Sequence, residues 1–494
     1  WMLHKGRIYR AKVKWWAEEG WLNCKGKSGN WDGVGGRDTD EVFVDGVPLR
    51  EVPGMPGKPG QFSIDHDSMT VYVWLADSAD PKKRTVEAIR RGHCIWIRGS
   101  HIRLEGFTLR HAALNHVQIR GGDHNVVANN TITYAAASCG IHLTRGADHN
   151  RVSKNRITHV GYAGIQISRN SNHTTIEDNE IAHIYSDGIA VQNGFPGGVG
   201  HQFIRNTIHH VINEDGIDIK CGRGHIVRGN IIYKCSHLGV QIFNHHGSNE
   251  IQFEHYRNNK ALIEDNRIFD NGGGGILVYE GEYLIRNNVL YGNGHEEPYG
   301  DYWGGRMRKK PGGFAIEIGP CFYIKGNPLT QRIYSNTCYK NARGELWIGG
   351  SWAADPLHCE IKNNILVGGP NGVLLKAGQI GVEHLVSDYN LMWPANKGGA
   401  FSEWNCARDK SKSSTASSLT HVGTKYHTFK NYRNVIGLDK HSVHSEPNFV
   451  NSAAHDFSLQ PDSPGYHAGT DVGLPFKGKA PTIGASGDVL TTAR

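Results

Sequence analysis

A phrase of the form Gly-Ile-x-apolar returns through the middle of the 494-residue chain. It starts at Gly140 (GIHL), Gly164 (GIQI), Gly188 (GIAV), Gly216 (GIDI), Gly239 (GVQI) and Gly275 (GILV). Successive starts lie 24, 24, 28, 23 and 36 residues apart. A second phrase opens on asparagine and falls between them, at Asn130, Asn155, Asn179, Asn206, Asn230, Asn266 and Asn288, and again at Asn336 and Asn364. The runs alternate apolar and polar residues over three to five positions, which is the period of a strand. A unit of this length is too small to bury its own apolar face. Stacking it on its neighbours creates a continuous core. An asparagine at a fixed place can build a ladder of amide hydrogen bonds and tolerates the left-handed conformation. Glycine relieves crowding where the chain bends. A leucine-rich repeat has a similar period, but leucine is not the recurring residue here and no helical segment separates the strands.

Composition agrees. Glycine supplies 63 residues, far above the usual share of about 7%, and with frequent asparagine it argues against a mainly helical chain. Hydrophobic residues at 38% allow a core, so disorder is excluded for the whole. No apolar run is long enough to span a membrane, and the glycines lack the three-residue period of collagen. A net charge of +7 is explained by solubility better than by function. The densest basic run, Arg306 to Lys310, is too short to argue for nucleic acid. Nine cysteines without a CxxC pair fit neither a zinc site nor a dense disulfide framework. No secretory leader is visible at Trp1–Arg10, and a chain beginning with Trp is read as a processed product, so that absence carries no weight.

The repeat resembles the right-handed parallel β-helix superfamily, the fold of pectate lyases, polygalacturonases and related carbohydrate-active enzymes, over roughly residues 88–390. The expected fold is all-β: a right-handed parallel β-helix over 88–394 with long loops on one face. A small antiparallel β-barrel or sandwich over 1–87 precedes it, with strands at Val42–Leu49, Gly60–Asp65 and Thr70–Leu75. Residues 395–440 read as an extended loop, and 441–494 resemble the closing segment of bacterial secreted enzymes of this fold. Stretched spacing at 244–262 and 291–313 predicts long loops, which in solenoids cluster on the binding face.

In Gly-Ile-x-Ile the isoleucines point inward and x points out. The x row reads His142, Gln166, Ala190, Asp218, Gln241 and Leu277, and Gly313-Phe-Ala-Ile-Glu317 extends it in a register uncertain by two residues. Such a row on an exposed sheet suits an extended polymer, and equally suits an ordinary solvated face. The segment Asn213-Glu-Asp215-Gly-Ile-Asp218-Ile-Lys220 concentrates carboxylates and a lysine, with Asp187 of the preceding coil over Asp215. Adjacent carboxylates raise each other's pKa or bind a cation such as Ca²⁺. A capping aspartate with a salt bridge is the structural alternative. Glu280 and Glu317 are candidate acids. Glu280 matches, with a one-residue offset, a catalytic glutamate that the resemblance to β-helix glycosidases implies. Gln241 or Asn244 stands where the partner aspartate would be. His245 and His246 open an insertion, and Trp303 and Trp347 offer flat faces for sugars. No HExxH spacing supports zinc.

The leading expectation is a secreted glycoside hydrolase, extracellular or periplasmic. Asp218 would be base or nucleophile, Glu280 or Glu317 the acid, and Asp215 with Lys220 would tune them. His142, Gln166, Gln241, His245, His246, Trp303 and Trp347 would hold substrate, and Asp187 with Asp215 would hold any metal. The alternative is a polysaccharide lyase acting by β-elimination on a uronic-acid polymer, with Lys220 or a loop histidine as base. A non-catalytic glycan-binding solenoid is the third. The expected partner is a polysaccharide or oligosaccharide rather than nucleic acid or membrane, the chain is expected to be a monomer, and no cofactor is required, though Ca²⁺ can be accommodated.

Overall fold

The structure, a computed structural model, describes residues 1–13, 41–65, 67–89, 92–135, 137–192, 198–220, 222–242, 260–279, 281–294, 313–319, 329–349, 358–369, 372–377, 384–394, 401–408, 419–426 and 428–487. Each coil of the middle region lays down three short strands, and equivalent strands of successive coils pair in parallel. Sheet 1 runs from Arg103–Glu105 to Leu385–Asp388 and sheet 2 from Thr108–Ala112 to Leu391–Trp393, with eleven strands each. Sheet 3 begins at Ile95–Ile97 and has thirteen strands. The fold is the expected right-handed parallel β-helix.

The repeat explains the register. Ile165, Ile189, Ile217 and Val240 pair in sequence along sheet 3. These residues and their i+2 neighbours Ile167, Val191, Ile219 and Ile242 are fully buried. Burying each such side chain contributes about 1.5–3 kcal/mol. The glycine before them is fixed by close approach: a Cβ on Gly216 would lie 2.4 Å from Ile232 Cγ2 and 2.6 Å from the Gly239 carbonyl oxygen.

The asparagines form the expected ladder. Asn130, Asn155, Asn179, Asn206 and Asn230 each accept from, or donate to, the next amide at 2.9–3.1 Å. The ladder continues through Asn266, Asn288, Asn336 and Asn364 to Asn390, then ends on Asp439 and Ser442. The left-handed bend, however, falls one residue earlier, at Asn129, Lys154, Asp178 and Arg205. The ladder amide is held from both sides, so its neighbour takes the turn.

Toward the N-terminus, Met2–Lys5, Ile8–Lys12, Thr70–Trp74 and Gln61–Asp65 pair antiparallel, with Arg50–Glu51 at the edge. Val42–Val44 does not join them as one strand through Leu49. It folds back on Val47–Pro48 and pairs with Val86–Ala88. Residues 395–440 also differ from a plain loop. Phe401–Arg408 adds to sheet 3 in parallel, Leu419–Tyr426 pairs antiparallel with it, and a helix follows at Phe429–Ile436. Phe429 and Tyr432 of that helix complete the end of the core. The chain's last part lies against sheet 2: Phe457 and Ala485 pack on Val289 and Tyr291, and Ile483 on Ile365 and Leu391. The loops expected at 244–262 and 291–313 fall mostly outside the described residues, which omit 243–259 and 295–312.

Candidate functional site

Residues i and i+2 of a strand share a face, so the outer face of sheet 3 carries two columns. The first contains Gln118, His142, Gln166, Ala190, Asp218 and Gln241 in unbroken register. It continues through Leu277 to Glu317, then Trp347 and Lys376, which settles the register of Glu317 as expected. The second, two residues later, runs Arg120, Thr144, Ser168 and Gln192, with Lys220 next as its backbone N–H bonds Val191.

The columns meet the turn carboxylates at one place. Ligand oxygens of Asp187, Asp215 and Asp218 all lie within 4.8 Å of one another. Lys220 Nζ donates to Asp218 Oδ2 at 2.9 Å. Asp215 Oδ1 accepts from His237 Nδ1 at 2.7 Å and from the Leu238 backbone N–H at 2.8 Å. The Asp215 backbone N–H points at Asp187 Oδ1 at 3.4 Å, and Ser186 Oγ donates to Asp187 Oδ2 at 3.2 Å. Asp218 Oδ1 is buried with no hydrogen-bond partner among the described residues.

Asp218 was expected on an exposed face. It is instead 2% exposed, and Asp187 and Asp215 are 1% exposed. Short side chains standing in a corner between strand and turn are covered by longer neighbours. Lys220 lies against Asp218, and the Tyr162 phenol is close enough to feel both Asp187 and Lys220. Burial, then the charge of Asp218, pushes the Asp187 carboxyl well above its ordinary range. Burial raises Asp218 too, Lys220 pulls it back, Asp215 pushes it up again, and the net direction is upward. For Lys220 burial favours the neutral amine, but Asp218 and Asp187 outweigh it and hold the ammonium form. Three crowded acids facing one lysine and one histidine form a site short of positive charge.

Further along the same face, burial lifts Glu317 to about 7 against the opposing pull of Arg343, Lys376 and His237. Burial, then the charges of Glu317 and Asp215, push the Tyr279 phenol to about 12. Tyr279 therefore lies within electrostatic reach of both acids. Asp218 and Glu317 are three rungs apart, about 14 Å along the sheet. Trp347 lies under Lys376, whose Nζ is 5.0 Å from its ring. His142 Nε2 meets Ser168 Oγ at 2.9 Å, and burial, with Arg169 and His93, lowers it to about 4. Gln166 donates to Gln192 at 2.9 Å, and Gln192 to the Tyr162 hydroxyl at 2.5 Å. Gln241 neighbours Asp218 directly. Glu280, His245, His246 and Trp303 lie outside the described residues.

Sequence reasoning gave no role to His237, Tyr162 or Tyr279. His237 could have been found from the glycine register: it precedes Gly239 by two, as Glu214 precedes Gly216 and Ser186 precedes Gly188. The coil after Asp215 thus brings an imidazole, His237, to the cluster where no second aspartate pair exists.

Residues 70–201 and 196–307 match the family model described as right handed beta helix region. No curated protein matches the chain. Among solved structures, the chain is similar in fold to XylC in complex with xylose, at 14% identity and TM-score 0.51, over 77% of this chain and 73% of that one. Pectate lyase Pel9A is similar at 18% identity and TM-score 0.41, over 76% and 87%. The A-module of Azotobacter vinelandii mannuronan C-5 epimerase AlgE4 is similar at 12% identity and TM-score 0.42, over 69% and 82%. The stacked coils and their ladders give this chain the right-handed parallel β-helix fold, and residues 70–307 match the model of that region.

Proposed function

We propose that the chain cleaves a uronate-containing polysaccharide by β-elimination outside the cell, at the Asp187–Asp215–Asp218 cluster. One observation carries this reading: three buried carboxylates converge, and one oxygen, Asp218 Oδ1, has no partner among the described residues. Leaving such an atom unpaired costs about 1–3 kcal/mol or more. The all-oxygen donor set of Asp187, Asp215 and Asp218 suits a hard divalent cation such as Ca²⁺. A cation held there would supply charge to neutralise the carboxyl group of a bound uronate.

The remaining work falls to side chains. Lys220 Nζ takes the proton next to the uronate carboxyl group after its ammonium has released a proton to solvent, a release that a cation on Asp187 and Asp218 would favour, because the charge of those two carboxylates is what holds the ammonium form. The electrons of that C–H bond form the new C=C bond as the glycosidic C–O bond breaks. The leaving oxygen then needs a proton, and the Tyr279 hydroxyl, protonated at neutral pH and within electrostatic reach of Asp215, gives it.

Hydrolysis is the second reading, favoured by Glu317, which at about 7 can act as an acid. Its weakness is spacing. Three rungs separate Asp218 from Glu317, wider than the roughly 5–5.5 Å or 6.5–9.5 Å that glycosidase carboxyl pairs use. A purely binding solenoid has no need of a crowded carboxylate cluster.

The test is incubation with a panel of polygalacturonate, alginate and neutral xylan, with calcium and with chelator. The expected result is a far-ultraviolet-absorbing unsaturated product from a uronate polymer, lost with chelator. New reducing ends without that absorbance would move the assignment to hydrolysis, and no product from any polymer would refute both.

A further inference from the structure

The early strands of sheet 2 share one ending. The third residue faces out, the fourth takes a left-handed turn and the fifth returns to the core. His111, Tyr134, His159, His183, His210 and Lys234 hold the turning position, with φ between 55° and 61°. Ile208 and Val211 are both fully buried although strict alternation would put them on opposite faces. The left-handed residue between them breaks that alternation, so His209 and His210 both stand on the outer side. Neighbouring coils put Thr158 with His159, Ala182 with His183 and Tyr233 with Lys234 at these two places. Of these coils, only Thr207–Val211 sets an imidazole at both.

The consequence is a convergent nitrogen pair. His209 Nδ1 and His210 Nδ1 stand 2.6 Å apart. Two nitrogens that bind one ion at about 2.0–2.1 Å lie about 3–3.4 Å apart, so opening this pair by less than about 1 Å admits a metal. The rings are held for it. Tyr233 stacks on His209 at 4.9 Å, and His183 stacks on His210 at 5.0 Å. Glu180 Oε1 lies 4.0 Å from His209 Nε2. A ligating imidazole commonly turns its other N–H toward a carboxylate, and a hydrogen on Nε2 leaves the Nδ1 lone pair facing His210. The Glu180 side chain is 43% exposed, which opens the pair to solvent. Burial, then His210, His183, Lys234 and Arg156, lowers His209 to about 4, so its ring is neutral near pH 7, the form that ligates a metal. Lys234 and Arg156 oppose a bound cation, and Arg156 is itself engaged by Glu180 at 3.2 Å.

A second histidine column shows what a structural stack looks like. His101, His124, His149 and His173 are exposed and stack nearly parallel at 4.9–5.1 Å. Equivalent nitrogens there stand about one rung apart, about 4.8 Å, too far to share an ion.

We propose that His209 and His210 form a chelating pair for a divalent transition-metal ion, with Glu180 behind His209 and water in the remaining positions. Imidazole suits zinc, nickel and copper, and copper(II) should bind most tightly. Magnesium, which takes oxygen ligands, should not bind there. The pair lies on sheet 2 and is independent of the reaction assigned to the carboxylate cluster on sheet 3.

The test is calorimetric titration of Cu²⁺, Ni²⁺, Zn²⁺ and Mg²⁺ into the full chain, stripped of metal and then supplied with calcium, with electron paramagnetic resonance of the copper form. His209→Phe keeps a ring to stack on Tyr233 and removes both nitrogens. His210→Asn keeps a residue that tolerates the left-handed turn. One Cu²⁺ per chain is expected to bind ahead of Ni²⁺ and Zn²⁺, with two imidazole nitrogens in its spectrum. Each histidine variant should weaken it more than about a hundredfold, beyond the range for an outer partner, and Glu180→Gln about tenfold, within that range. His124→Ala and His149→Ala should change nothing. A wild-type copper spectrum without paired nitrogens would overturn the proposal whatever the variants do. Full affinity in His209→Phe and His210→Asn would overturn it too, as would loss of the ion in His237→Ala instead, which would move it to the carboxylate cluster.

Discussion

Asp218→Asn is expected to lower turnover of the cleaved polymer by at least about 10²-fold, the scale on which weakened metal binding acts on activity, while the coil stays folded. Asparagine keeps the volume of a side chain that is 2% exposed, so no cavity opens. It removes a charge whose burial is unfavourable, as the upward shift of Asp218 shows. The fold should therefore be no less stable at neutral pH. What it loses is functional. The cluster drops from three carboxylates to two, and Lys220 loses the partner that holds it at 2.9 Å. Product formation measured beside circular dichroism separates the two effects. Wild-type rates in a folded variant would remove Asp218 from the chemistry.

The second large effect concerns the scaffold. Asn206→Ala should destabilise the chain by about 1–3 kcal/mol, the cost of leaving a buried polar group unpaired. Asn206 Oδ1 accepts from the backbone N–H and the amide of Asn179 at 3.1 and 3.0 Å. Its Nδ2 donates to the Ile176 carbonyl at 2.9 Å and to Asn230 Oδ1 at 3.1 Å. Alanine removes all four bonds at the corner between sheets 1 and 2; the Asn179 backbone N–H loses its partner, while Asn179 Nδ2 keeps the Val152 and Glu177 carbonyls and Asn230 Oδ1 keeps the residue-206 backbone N–H. A lowered urea midpoint, with activity falling in parallel, is the expected result. An unchanged midpoint would show that water replaces the ladder without cost.

Much of the architecture could be read from residues alone because the repeat forces one answer. A Gly-Ile-x-Ile strand with its isoleucines inward leaves x outward, so the order His142, Gln166, Ala190, Asp218, Gln241 and Glu317 followed from parity. What parity could not give was depth. Asp218 points out of the core and is nonetheless buried, with the Lys220 ammonium, from just past its own strand, bonded against it. Distance along the rod was also hidden. Glu317 shares a column with Asp218 but stands three rungs away, since sequence spacing between coils says little about which carboxylates meet. The strands at Phe401–Arg408 and Leu419–Tyr426 were missed for a related reason: their Ser, Lys and Thr content reads as loop, and only pairing with the last coil makes them strands.

Cation uptake by the cluster is the point on which the functional reading turns, and calorimetric titration of calcium into metal-stripped protein measures it. Asp187 and Asp218 have folded-state pKa values above their unfolded ones, so without a cation they hold protons more readily folded than unfolded. Their ionisation opposes folding as pH rises from the ordinary carboxylate range through the raised values. Binding a cation expels those protons, so affinity should climb as pH rises and level off once the raised values are passed. One ion per chain, bound more tightly at about pH 8 than at about pH 5.5 and lost in Asp187→Asn, is the predicted result. No saturable uptake at the higher pH, or the same uptake in Asp187→Asn, would mean that the three carboxylates do not hold a cation and that the reaction proposed here lacks its centre.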